Sequence, residues 1–444
     1  WEWDFDNDGT VDSTDQNPQW TYNNPGWYTV KLTISDGTNS DTCVKEMYIL
    51  VANNIYYVDG VGGDDTNGGT GWSDAWKTIG YALSQVGDYD LVLVADATYN
   101  ETNLDFGGKK IYLKGVDHNT AGARPVIDCQ QADRAFYFHS GETKDCVIDN
   151  FTIQNGRVED TYGGAILCEN NSSPTITDCV FQNNEAADTN GGSDSEVGGA
   201  IYCESSSPSI INCIFSSNEA YGEGGAMFCT DSNPTITNCT FSDNGASGNF
   251  GGGGAICCRS SSPPIINCSF SGNSADYGGA ILCYKSSPTV TNCTFSGNSA
   301  HLDGGVICCN HSSCPSIANC TFSGNSADND GGVISCDFSS PSITRCAFSG
   351  NSAGYYGGAI DCFNSSSPSI ANCTFSGNSA VYGGAIFCDF NGSPTVTNCT
   401  FSGNNANPAG GAIYCWSNSS PTLNNCILWG NSASGSGNEV YIYL

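Results

Sequence analysis

The chain has 444 residues, with 13 Lys and Arg against 45 Asp and Glu, a net charge of -32. A field of that sign repels nucleic acid and anionic lipid, which excludes both as partners, and no apolar run is long enough to insert into a bilayer. The 26 cysteines, without zinc-type pairs, point to a secreted or cell-surface protein in an oxidising compartment; the missing leader fits a mature or trimmed form.

Residues 1–54 make the first unit. Asp4, Asp6, Asp8, Gly9, Asp12 and Asp15 follow the spacing of a calcium-binding loop, and Thr10 would offer its carbonyl. Alternate oxygens wrap one hard cation, and the glycine permits the sharp turn. Asp15 stands where Glu is usual, which shortens the reach. Calcium with a structural role is expected, against the plainer reading of an acidic turn. Trp3-Asp4-Phe5-Asp6, Tyr22 and Pro25-Gly26-Trp27-Tyr28-Thr29-Val30 resemble a PKD-type immunoglobulin-like module. The resemblance implies a β-sandwich whose first two strands are missing here; either a neighbouring copy completes it by strand addition or the given sequence starts inside the module.

Residues 55–105 read as a cap. Ile55-Tyr56-Tyr57-Val58-Asp59-Gly60, and then Trp72 through Leu83, resemble the start of pectate-lyase-like β-helices. That resemblance implies a short helix, N-capped by Ser73 or Asp74, plugging the open end of a coil. Without a plug the terminal coil would expose its core and its strand edges.

Residues 106–438 are dominated by repeats, evident from residue 163 onward. Ten units begin at Gly163, Gly198, Gly224, Gly253, Gly278, Gly304, Gly331, Gly357, Gly383 and Gly410. Each reads Gly-Gly-Ala-Ile-x-Cys, a Ser-Pro turn, then Ile-x-Asn-Cys-x-Phe-Ser-Gly-Asn. Longer intervals are local insertions, such as 188–197. A period near 26 residues, with short apolar runs between Gly, Ser, Asn and Pro, suits one coil of a parallel β-helix of three strands and three turns. The Ile of Gly-Gly-Ala-Ile, the Ile after the proline (Ile210, Ile236, Ile370) and the Phe (Phe215, Phe241, Phe375) should face inward. Turn residues Asn218, Asn244, Asn298 and Asn378 suit a left-handed backbone and a ladder along the axis. The residue between Ile and Cys should face outward: Leu167, Tyr202, Phe228, Cys257, Leu282, Cys308, Ser335, Asp361, Phe387 and Tyr414. Such a column is either an exposed stripe for a partner or is covered by loops.

The pairing of Gly278-Gly-Ala-Ile281 with Phe295-Ser-Gly-Asn298, and of Gly383-Gly-Ala-Ile386 with Phe401-Ser-Gly-Asn404, resembles the repeats of chlamydial polymorphic membrane proteins. The resemblance spans about residues 163–431 and implies a β-helical surface passenger with adhesive function. This chain lacks the outer-membrane barrel of that family.

Two cysteines recur per unit: Cys168/Cys179, Cys203/Cys213, Cys229/Cys239, Cys258/Cys268, Cys283/Cys293, Cys309/Cys320, Cys336/Cys346, Cys362/Cys373, Cys388/Cys399 and Cys415/Cys426. Disulfides within each coil would staple the rod; two inward columns of packed thiols are the other reading. An oxidising compartment favours the disulfides. Glycosylation is expected at sequons in the Ser-Pro turns, Asn171, Asn310, Asn364, Asn391 and Asn418. Those at Asn238, Asn292, Asn319, Asn372 and Asn398 read as turn asparagines.

Catalysis is weakly signalled. A lyase acting on acidic sugars needs cationic groups, yet from residue 160 onward only Arg259, Lys285 and Arg345 are basic against 20 acidic residues. A hydrolase needs paired carboxylates; Asp276, Asp303, Asp328, Asp330, Asp337, Asp361 and Asp389 offer pairs on neighbouring rungs, but at variable positions. His118, His139, His301 and His311 form no metal motif, and His301 beside Asp303 is a lone suggestion.

The expected fold is all-β: a right-handed parallel β-helix with a short capping helix, preceded by an incomplete β-sandwich and followed by a strand-like tail, 439–444. The expected function is a non-enzymatic extracellular rod. In one version copies join into filaments, the tail completing a neighbour's first module; both chain ends would then be tied down. In the other, Tyr277, Asp303, Asp330, Tyr356 and Tyr382 form a face adhesive to glycans or proteins. The alternative is a polysaccharide-binding or polysaccharide-degrading β-helix.

Overall fold

A computed structural model describes residues 1–189, 196–248 and 250–443. The first module is a three-stranded antiparallel sheet of β1 (Glu2–Asp4), β2 (Gly26–Ser35) and β3 (Ser40–Val51), in the order β1-β2-β3. Phe5 lies between Trp3 and Trp20, and Tyr22 donates to the Phe5 carbonyl. Trp27 meets Tyr112 of the rod at 5.1 Å.

The cap helix α1 spans Ile79–Gln85. Its N-cap is Thr78, whose hydroxyl accepts from the Tyr81 amide, and the Glu101 carboxylate accepts from the Ile79 and Gly80 amides. The expected caps Ser73 and Asp74 instead lie in a separate 3-10 turn, Trp72–Asp74. Extended backbone follows that turn, so the apolar run begins a helix only after Thr78. Ile79, Ala82 and Leu83 face the first coil and close its core.

The rest of the chain winds into a parallel coil whose walls are sheets of 14, 13, 12 and 11 strands. The sheet of three strands is separate. Each coil therefore contributes four strands, not the three expected. In one coil these are Ile201–Glu204, Ser209–Ile211, Ile214–Ser216 and Glu219–Ala220. The extra corner falls at the Asn before the second Cys: Asn212 has φ of 53°, which bends the run after proline into two walls. The four are called here the Gly-Gly, proline, phenylalanine and short walls.

Register is kept from rung to rung, so like residues stack. The phenylalanine column from Phe181 to Phe401 has ring centroids 4.6–4.9 Å apart and nearly parallel planes. That interval is the ~4.8 Å spacing of hydrogen-bonded strands. The predicted inward Ile and Phe positions are all buried in one continuous core. The Gly-Gly pair is fixed by sterics. Gly278 has φ of +61°, and a Cβ there would lie 2.2 Å from the Ile281 carbonyl; one at Gly279 would lie 2.4 Å from the carbonyl of Gly305 on the next rung.

The turn asparagines form the expected ladder, with a different backbone. Asn184, Asn218, Asn244, Asn273, Asn298, Asn325, Asn351, Asn378, Asn404 and Asn431 are buried, and each amide through Asn404 donates to the next asparagine's oxygen at 2.7–3.0 Å. None is left-handed; that conformation falls one residue earlier, at Ser217, Asp243, Gly297 and Gly377. The preceding residue makes the corner, which leaves the asparagine side chain free to enter the wall. A second, exposed ladder joins Asn212, Asn238, Asn267, Asn292 and Asn319.

The tail is part of the rod. Val440–Ile442 pairs in parallel with Ile413–Cys415 as the next rung of the Gly-Gly wall, so this strand does not hang free for donation to a neighbour; Leu444 lies outside the described residues.

Asn298→Ala removes donors to the Asn325 oxygen and the Phe270 carbonyl and strands the groups that bond Asn298 from the previous rung. Urea denaturation should show a loss of about 2–4 kcal/mol, on the scale of buried groups left without partners. Asn292→Ala, on the exposed ladder, should cost under about 1 kcal/mol.

Candidate functional site

The column between Ile and Cys points away from the main core yet is buried. Leu167, Tyr202, Phe228, Cys257, Leu282 and Cys308 form one apolar cluster with Val197, and Phe387 and Tyr414 form another with Ala409. The cover comes from the chain just before each Gly-Gly pair. Tyr356 lies against Phe387 of the following rung, with centroids 4.3 Å apart, and Glu223 in the same way reaches Cys257 of the following rung. The stripe is therefore not an exposed surface: each coil folds its own lid over the next.

The two clusters are separated where the pattern breaks. Ser335 and Asp361 occupy the covered column, side by side in register, while Asp303 and Asp330 pair in the covering segment. The one-rung offset sets Asp303 over Ser335 and Asp330 over Asp361. Asp361 is 3% exposed, and neither its Oδ1 nor the Oδ1 of Asp330 has a hydrogen-bond partner. Burial raises all three carboxyls: Asp303 to about 6, Asp330 to about 7 with a contribution from Asp303, and Asp361 well above the carboxylate range, with Asp330 the leading neighbouring charge. The other groups acting on them are Asp337, Asp389 and Cys362.

A contrast lies farther up the same column. Glu223 is also buried there, but Arg259 answers it with Nε and a terminal nitrogen at 2.6 and 2.5 Å. The other two basic residues of the repeats lie elsewhere: Arg345 donates to Asn319, and Lys285 sits over the Tyr284 ring. The three are not gathered as a lyase would need. His301 faces Asp328 at 3.4 Å on the open surface rather than Asp303.

Of the open hollows along the rod, two gather groups able to meet a ligand. A groove of about 380 Å³ on the short wall includes Glu219, Asp243, Asp276 and His301 in its lining. A pocket of about 240 Å³ is walled by Tyr356, Tyr382, Tyr414, Trp416 and Tyr443. Sequence reasoning missed this pocket, because its rings come from covering segments, the Gly-Gly wall and a turn on four successive rungs. The tyrosine before Gly-Gly, singled out at Tyr356 and Tyr382, was the available signal.

The N-terminal acidic residues are only partly gathered. Carboxylate oxygens of Asp4, Asp6 and Asp8 lie within 4.8 Å of one another. Asp12 instead accepts from the Phe5 amide at 2.6 Å, and the Asp15 carbonyl accepts from the Trp3 indole. Thr10 donates its amide to Asp8. An all-oxygen donor set of three carboxylates fits a hard cation.

The expected disulfides are not formed, and all twenty repeat cysteines carry free thiols. The physical reason is that the two cysteines of a coil stand on different walls. Cys168, Cys203, Cys229, Cys258, Cys283, Cys309, Cys336, Cys362, Cys388 and Cys415 form one column on the Gly-Gly wall. Cys179, Cys213, Cys239, Cys268, Cys293, Cys320, Cys346, Cys373, Cys399 and Cys426 form another at the corner between the proline and phenylalanine walls. Stacking makes the next rung's cysteine the sulfur neighbour, as for Cys203 between Cys168 and Cys229. Thiols of the second column donate to backbone carbonyls: Cys179 to Thr177 at 3.2 Å, Cys293 to Thr291 and Ile265, and Cys426 to Asn424 at 3.3 Å. Cys426, on the last rung of that column, is half-buried where the other nineteen are buried. Thus neither Cys179 with Cys168 nor Cys426 with Cys415, nor any pair between them, staples its coil. Among the sequons, Asn171, Asn391 and Asn418 are exposed; Asn310 and Asn364 are half-buried, and the Asn364 amide donates to Asp337 at 2.8 Å.

The sequence matches the right handed beta helix region family over residues 136–278, 197–337 and 280–443. The chain belongs to that family. Residues 1–51 match the PKD domain. Comparison with curated proteins found no match. Among solved structures, this β-helix protein is similar to the catalytic unit of a GH87 alpha-1,3-glucanase from Streptomyces thermodiastaticus (12% identity, 90% of this chain and 72% of that one, TM-score 0.34). It is similar also to a family 28 exopolygalacturonase of Yersinia enterocolitica (8%, 94% and 84%, TM-score 0.33) and to a GH136 lacto-N-biosidase from Eubacterium ramulus (12%, 88% and 68%, TM-score 0.27). Likenesses this loose carry nothing about activity.

The raised carboxyls predict a pH dependence. Their folded pKa values lie above the unfolded ~3.9, so the folded state holds the extra protons. Their stabilisation is complete below pH ~4 and is lost as pH rises through 6 to 7. In EDTA, the melting temperature of the wild type should fall between pH 5 and 8 more steeply than that of Asp361→Leu, which installs the apolar residue that Leu282 supplies at the same position of an earlier rung.

Proposed function

We propose that this protein is a non-enzymatic rod displayed outside the cell, which presents an aromatic pocket to glycans. The observation that carries the reading is the hollow walled by Tyr356, Tyr382, Tyr414, Trp416 and Tyr443. Aromatic faces stack on the C–H faces of sugar rings, and tyrosine hydroxyls at the rims hydrogen-bond sugar hydroxyls; such amphipathic rings suit recognition surfaces. Tyr356 to Tyr382, Tyr382 to Tyr414 and Tyr414 to Tyr441 stand 5.8, 5.1 and 5.3 Å apart, a row along the axis that suits an extended chain. The rigid register holds it without ordering cost on binding. The PKD-type module supports a place outside the cell. The surface-adhesin reading of the Gly-Gly-Ala-Ile repeats agrees with it. Filament formation by strand exchange is less favoured, since the tail strand is already paired within its own rod.

Trp416→Ala should weaken binding on a glycan array at least about tenfold, the size of one lost aromatic contact, while leaving the melting temperature unchanged. No binding by the wild-type protein to any glycan would overturn the reading.

Calcium in the first module belongs to the same proposal, held by Asp4, Asp6 and Asp8 with a structural role. Asp6→Asn/Asp8→Asn should lose one calcium by isothermal titration; an unchanged stoichiometry would leave the loop an acidic turn.

The groove beside Glu219, Asp243 and Asp276 favours a second reading, cleavage of a polysaccharide, because neighbouring rungs there offer carboxylates at an open surface. New reducing ends released from a polysaccharide panel, and abolished by Glu219→Gln or Asp243→Asn, would put this reading first.

A further inference from the structure

Asp361 in the covered column, with Asp303 and Asp330 in the segment that covers it, interrupts a stripe that most other rungs fill with apolar side chains. The structure assigns to this interruption a binding site for a calcium-sized divalent cation, inside the covered wall of the rod and separate from the N-terminal loop.

The case begins with what is missing around Asp361. Its side chain is more than nine-tenths buried, its Oδ1 has no hydrogen-bond partner, and the same holds for a buried oxygen of Asp330, which lies over it. An ionised carboxylate so placed is costly unless a counter-charge meets it. Glu223 shows how the same wall meets that cost with a side chain: an arginine two residues beyond the covered position of the following rung. The equivalent of Arg259 beside Asp361 is Phe363, and no ion pair to Asp303, Asp330 or Asp361 occurs among the described residues. No side chain of the wall supplies the counter-charge, and a bound cation would supply it and hold the three acids ionised.

The donors select its type. All three are carboxylates, with the Ser335 hydroxyl in register beside Asp361, an oxygen-only set suited to a hard ion and lacking the thiolate or imidazole that zinc prefers. Asp303 and Asp330 stand on adjacent rungs and Asp361 one rung beyond, so the donors are spread along the axis. They are not drawn together as closely as Asp4, Asp6 and Asp8. Calcium, with bonds of about 2.3–2.6 Å and a tolerant, partly water-filled coordination shell, can be held by two of these carboxylates with water completing the shell; magnesium demands a tight octahedron. The cation would also join two apolar clusters that the break otherwise separates.

The test uses the full chain in an Asp6→Asn/Asp8→Asn background, which removes the N-terminal loop as a source of signal. Calcium chloride added after EDTA treatment should raise its melting temperature, and terbium should bind with luminescence sensitised by the neighbouring Tyr356. Adding Asp361→Asn, which keeps the shape, should abolish both effects. Asp330→Tyr, which installs the residue of the next rung, should abolish the calcium-dependent rise as well and guards against a misfolded first variant. A calcium-dependent rise that survives in both variants would overturn the site. So would an unresponsive background protein whose stability changes only with pH, since a proton would then be the counter-charge.

Discussion

The structure depends on one constraint: successive coils hydrogen-bond in register, so every residue sits ~4.8 Å from its counterpart above and below. That distance suits flat rings, amides and small thiols alike, and the sequence supplies columns of each. The buried asparagine ladder makes the constraint strict. Each amide is both donor and acceptor to its neighbours, and donates as well to a phenylalanine carbonyl of an earlier rung. A slip of one residue would strand every member at once.

The same periodicity explains the second, smaller core outside the Gly-Gly wall. A residue facing away from the coil is covered because the segment before each glycine pair doubles back over the next rung. Tyrosine, alanine, glutamate and aspartate all occupy the covering position, and each gives a different local result. With Tyr356 the cover is aromatic; with Glu223 it is an ion pair to Arg259; with Asp303 and Asp330 it is a group of acids that no side chain neutralises. Regularity is what makes that third case informative, because the neighbouring rungs show what the position holds when it serves packing alone.

Function then follows from departures from the repeat. The aromatic pocket forms where tyrosines accumulate at the covering position near Trp416, and the acidic interruption lies just ahead of it along the axis. The aromatic pocket and the acidic stretch are thus consecutive parts of one scaffold, held at fixed separation by the rungs between them.

Much of this was legible in the chain itself. The spacing of the glycine pairs, the inward Ile and Phe, and the cap before the coil follow from local sterics and apolar periodicity, which the sequence carries residue by residue. By itself it determined a parallel β-helix behind a small PKD-type module. It could not reveal that Asn212 bends each coil into four walls, that Thr78 and not Ser73 starts the helix, or that the cysteines from Cys168 and Cys179 to Cys415 and Cys426 stack along the axis without pairing within a coil. Nor could it show that Tyr356 lies on Phe387, Asp330 over Asp361, or that the tail strand is used at home. Those facts rest on which residue of the next coil meets which residue of this one. Such contacts join positions some 26 residues apart, and only the closed path of the coil decides them.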